Sequence, residues 1–103
     1  MKTYKFYADP GHGWIAVKIK ELMQLGIITK ISTYSYMHGG TAYLEEDVDL
    51  AEFFNAYREK YGQDPKYIHN HTDNRSVIRS YDSFNLNKAL DIALNQMKEK
   101  EHA

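Results

Sequence analysis

His69 and His71, two positions apart with Asp73 close behind, are the side chains of this sequence best spaced to hold a metal ion. On a strand, residues i and i+2 share a face, so both imidazoles can reach one cation. Asp73, His38 or His12 would supply a third ligand if the fold brings one of them near. The adjacency His69-Asn70-His71 is not the HNH nuclease signature, whose residues are spread over separate elements. There is no His-Glu-x-x-His motif and no cysteine ligand. Asp9-Pro10-Gly11-His12-Gly13-Trp14 offers different chemistry. A histidine beside an aspartate on a loop can form a general-base pair, and flanking glycines can turn backbone N–H groups toward an anion. Neither the last glycine of a dinucleotide fingerprint nor the Lys-Ser/Thr of a P-loop follows. The plainer reading is a turn in which Pro10 fixes φ, Asp9 bonds forward into the backbone, and Trp14 enters the core. Metal binding through His12, His69, His71 and Asp73 is thus a subordinate expectation, and no cofactor is expected.

A stronger expectation concerns contact surfaces. Tyrosine is abundant, with nine residues, and its ring supplies rigid, amphipathic contact area at low entropic cost. Strand-rich domains also favour aromatics, which is the plainer account of the same count. Tyr34, Tyr36 and His38 alternate onto one side of a segment ending at Gly39-Gly40. Tyr67, His69 and His71 alternate onto one side of another. Arg75 and Arg79 add positive charge beside them, with Lys66. Arginine and tyrosine on a β-hairpin are the groups that pair with phosphates and stack on bases.

The elements that must carry these residues follow from periodicity. Thr3–Ala8 and Trp14–Val17 read as strands around the Asp9–Gly13 turn. Lys18–Leu25 reads as a short helix stopped by Gly26. Ile31–Glu46 reads as a hairpin about Gly39-Gly40, because the glycine pair accepts the positive φ of a tight turn. Leu50–Tyr61 reads as a helix, with Asp49 as N-cap, Glu52 completing a capping box, and Leu50, Phe53, Phe54, Tyr57 and Tyr61 in one stripe. Gly62 and Asp64-Pro65 end it. Lys66–His71 and Ser76–Tyr81 read as a second hairpin, and a last helix starts near Leu86. The order β-β-α-β-β-α-β-β-α predicts one α+β domain over residues 1–103. It is expected to be a mostly antiparallel sheet of hairpins with two to three helices packed on one face.

Composition bounds the function. A hydrophobic fraction of 43% and a charged fraction of 26% are those of an ordinary globular chain. No apolar run is long enough to span a bilayer, so no membrane partner is expected. The opening residues do not form a signal-peptide pattern, and a cytoplasmic location is the expectation. A formal charge of −1 argues against both a strongly basic nucleic-acid clamp and a mimic of the DNA backbone. Charge segregated onto one face escapes both exclusions.

The runs YKFYADPGHGWIAVKIKELMQLGI, ISTYSYMHGGTAYLEEDVD and RSVIRSYDSF resemble a group of small uncharacterised proteins carried by bacteriophages and mobile elements. The likeness covers most of residues 2–84 and brings no established activity. It implies a non-enzymatic accessory protein, of the kind that inhibits host machinery or defence, or a nucleic-acid-associated factor. The leading expectation is therefore a monomer or homodimer that binds a protein partner through Tyr34, Tyr36, His38, Tyr67, His69, His71, Arg75 and Arg79. The alternatives are nucleic-acid binding by the 66–81 hairpin and a small metal-dependent hydrolase or nuclease.

Overall fold

Asp9 turns the chain so that β1 (Thr3–Ala8) and β2 (Gly13–Lys18) pair antiparallel, with Phe6 opposite Ile15 and Tyr7 opposite Trp14. The structure, a computed structural model, describes residues 2–102, and side chains as far as residue 98. Helix α1 (Ile19–Gln24) follows and closes on Gly26. A 3₁₀ turn at Ile28–Lys30 and an irregular stretch lead to β3 (Tyr36–His38), which turns back into β4 (Thr41–Glu45). Gly39 and Gly40 both adopt positive φ, 57° and 83°, as a two-residue hairpin demands. The first arm is shorter than its sequence suggests. Residues 31–35 leave the sheet because Ser32 and Ser35 bond inward to Asp49.

Helix α2 (Asp49–Tyr61) carries the expected stripe and ends at Gly62. Its start is not the expected cap. Asp49 lies inside the helix with Val48 before it, and its buried Oδ2 accepts from Ser32 N, Ser32 Oγ and Ser35 Oγ. Glu45 does the capping instead, accepting from the backbone N–H groups of Asp47, Val48 and Asp49 at 2.9, 2.8 and 3.2 Å. These three donors outweigh burial and hold the Glu45 carboxyl below its usual range.

The expected second hairpin does not form. β5 (Lys66–His71) is a strand, but Val77–Ser80 is a 3₁₀ turn, followed by the two-residue β6 (Asp82–Ser83) and by α3 (Leu86–His102). Among the described residues six strands lie in the order β5-β1-β2-β4-β3-β6, so β5 and β6 occupy opposite edges. β5 runs parallel to β1. The fold is α+β, and its sheet is mixed rather than mostly antiparallel.

Register places Tyr4, Phe6, Ile15, Val17, Met37, Ala42 and Leu44 on one face. They join one buried cluster with Ile19 and Leu22 of α1, Phe53 and Tyr57 of α2, and Ala89 and Ala93 of α3. Phe53 is fully buried and meets Tyr4 edge-on at 5.1 Å between ring centres. Among the described residues no helix is long and apolar enough to cross a membrane. Truncation of Phe53 to alanine is expected to lower the unfolding free energy by about 3–5 kcal/mol. Urea denaturation of the two proteins measures it, and a loss below about 1 kcal/mol would contradict this packing.

Candidate functional site

The face opposite the buried cluster carries Lys5, Tyr7, Trp14, Lys18, Tyr36, His38, Thr41, Tyr43 and Glu45 by register, with Lys66 and Ile68 from the edge strand. Its aromatic rings touch in series. Tyr7 lies 6.3 Å from Tyr43, Tyr43 lies 5.2 Å from Tyr81, and Tyr81 stacks on His38 at 4.3 Å with planes 8° apart. Tyr7, Tyr43 and Tyr81 are half-buried and His38 is exposed. Burial first, then Tyr81 and Tyr7, raises the Tyr43 hydroxyl above its ordinary pKa, so it stays protonated.

Trp14 begins a second group on this face. It is 2% exposed, yet it stands outside the main cluster. Tyr36 packs against it edge-on at 6.2 Å, and the Arg79 guanidinium lies over its ring at 5.7 Å. Together with Tyr34, His12, Asp47 and Val48 they line a cleft of about 410 Å³.

Asp9 fixes this group. Its side chain is completely buried and accepts five hydrogen bonds, from the backbone of Gly11, His12 and Ser76 and from Nε and Nη2 of Arg79. The two guanidinium contacts are 2.6 and 2.8 Å long, the paired fork geometry that suits arginine. Arg79 most of all, helped by the three backbone donors, holds the Asp9 carboxyl far below the usual range against the cost of burial. A Cβ on Gly11 would come within 2.7 Å of Arg79 Nη2, so the turn must lack a side chain there.

The sequence-derived candidates separate. Tyr36 and His38 lie on the aromatic face, and Tyr34, 81% exposed, stands at the rim of the cleft. Tyr67, His69 and His71 lie on the opposite face, where Phe6 contacts Tyr67 at 5.9 Å and stacks on His69 at 5.1 Å. Arg75 is exposed in the turn after β5. Arg79 is an internal clamp rather than an open contact residue, because Asp9 takes its fork. The 66–81 hairpin that was to carry nucleic-acid binding is absent. His12 gives its backbone N–H to Asp9, whose oxygens are already engaged, so the pair is not a general-base dyad. His71 pairs with Asp73 at 3.2 Å, and no group of three or more His, Asp or Glu among the described residues is placed to hold a metal ion.

Tyr7, Tyr43 and Tyr81 were not singled out from sequence. Alternation along β1 turns Lys5 and Tyr7 away from Tyr4 and Phe6, but only cross-strand register brings Tyr7 beside Tyr43. No family model, no curated protein and no solved structure matches this chain.

The depressed Asp9 carboxyl carries a pH signature. Its contribution to stability is full above the unfolded carboxylate pKa of about 3.9 and is lost as pH falls toward the lower folded value. Asp9→Asn lacks this contribution at every pH. Urea midpoints of the two proteins should therefore differ most at about pH 5 and converge toward about pH 2. A gap that stays constant or widens on acidification would contradict the assignment.

Proposed function

We propose that this protein is a non-enzymatic binding module that presents the Tyr7–Tyr43–Tyr81–His38 face of its sheet to a macromolecular partner. In this reading the three helices cover the other face and leave the aromatic one open. What carries it is the run of touching, half-exposed rings on a face that contributes nothing to the main buried cluster. Amphipathic rings with hydroxyl groups suit a surface that is wet when free and buried when bound. The likeness to phage and mobile-element proteins supplies the setting, an accessory factor acting in the cytoplasm on host machinery or defence.

This reading moves the contact from the histidine side to the tyrosine side. Tyr36, His38 and Tyr34 keep their place in it, whereas Tyr67, His69 and His71 lie on the wrong face. A tagged protein should capture a discrete partner from a bacterial lysate. His38→Ala and Tyr81→Ala should weaken that capture at least tenfold, the loss expected for aromatic anchors worth about 2 kcal/mol, with melting temperatures nearly unchanged. Capture that is undiminished in both variants, or is lost only in proportion to stability, would overturn the assignment of the face.

A further inference from the structure

We infer that the occupant of the aromatic face is a single-stranded nucleic acid, held by base stacking on its tyrosines and by phosphate contact with Lys5, Lys18 and Lys66. The inference rests on the open-face reading and names its partner. Three lysines converge there from three strands. Thr3 lies opposite Lys66 on β5; two positions beyond Lys5–Ala16 in the β1–β2 register, it is level with Lys18, which is opposite Thr41. Strand spacing places Lys66 and Lys18 about 10 Å apart on either side of Thr3, with Lys5 two residues further along β1 on the same face. All three are exposed, and none makes an ion pair among the described residues.

The acidic groups of this face lie at its other end. Glu45 is beside Trp14, and Asp47 is at the cleft. The face therefore has a cationic end and an anionic end, although the chain as a whole carries only −1. A backbone of phosphates fits the lysine end. Lysine is depleted at protein–protein interfaces, where its hydration is costly to lose, but it tracks phosphates well as a mobile point charge. The aromatic run lies alongside the lysines, since Tyr43 shares the row of Lys5 and Ala16, His38 shares the row of Lys18 and Thr41, and Tyr7 follows Lys5 on the same face of β1. Every base has a π-face, so such a run accepts a strand without reading its sequence. A duplex keeps its bases stacked inside and offers these rings nothing to stack on.

Fluorescence anisotropy with a labelled mixed-sequence 12-mer, as single-stranded DNA, as RNA and as DNA duplex, tests this directly. Three phosphate contacts predict a logarithmic salt slope near −2, or roughly 20-fold weaker binding at about 200 mM than at about 50 mM salt. Lys18→Ala should reduce the slope by about 0.7. Tyr43→Ala should weaken binding at least fivefold, and Tyr43→Phe should keep it, because the ring remains. The exposed lysine variants keep the test open if Tyr43→Ala fails to fold. The DNA and RNA arms decide which strand is the better occupant, and preference for either supports the inference. No binding at about 50 mM salt, equal affinity for the duplex, or indifference to Lys5→Ala and Lys18→Ala would overturn it. Lysate capture that survives nuclease and still depends on Tyr81, with no oligonucleotide bound, would leave the face in place and make its partner a protein.

Discussion

A carboxylate sealed from water must be met by donors on every side, and Asp9 dictates what surrounds it. Five hydrogen bonds converge on its two oxygens. Leaving such a charge unpaired would be strongly destabilising, so the groups that satisfy it have little freedom. Arg79 must reach in, Gly11 must offer no Cβ, and Ser76 must turn its N–H inward. The segment after β5 is then pinned as a 3₁₀ turn, and the guanidinium that closes the site also lies over Trp14. One aspartate thus shapes a turn, a segment some seventy positions away, and one wall of the cleft.

Much of the fold was legible where its causes are local. Alternation marked β1, the Asp9–Gly13 turn marked the return into β2, paired glycines marked the β3–β4 turn, and an apolar stripe marked α2. Interactions between distant residues were not legible. Val77, Arg79 and Tyr81 alternate as a strand would, but Asp9 captures Ser76 and Arg79 and overrides the pattern. Asp49 has the residue type of a helix cap, yet two serines in a loop draw its carboxylate inward and Glu45 takes the role. The candidate site was half visible for the same reason. Parity within a strand is fixed by the backbone, so Tyr36 and His38 were rightly paired. Which face of one strand joins which face of another depends on register, and there Tyr67, His69 and His71 went the other way.

The two faces divide the labour of the tyrosines. Tyr4 and Tyr57 work as core residues, packed edge-on to Phe53. Burial and Glu21 push the Tyr4 hydroxyl well above its ordinary pKa, so it too remains neutral. On the far side Tyr7, Tyr43 and Tyr81 keep part of each ring in solvent. With the Tyr43 hydroxyl held in its neutral form, this phenol adds no charge to that face near neutral pH.

The parallel pairing of β1 with β5 has a kinetic side. β1 acquires β2 through a short turn, but its other neighbour is β5, and the Asp9–Arg79 clamp closes a span of 70 positions. Closing a loop of that size costs chain entropy before any contact compensates for it. Long-range strand pairing of this kind belongs to the slower, millisecond-to-second range of folding. During synthesis Thr3–Ala8 leaves the ribosome well before Lys66–His71, so one edge of β1 has no partner until the later strand follows.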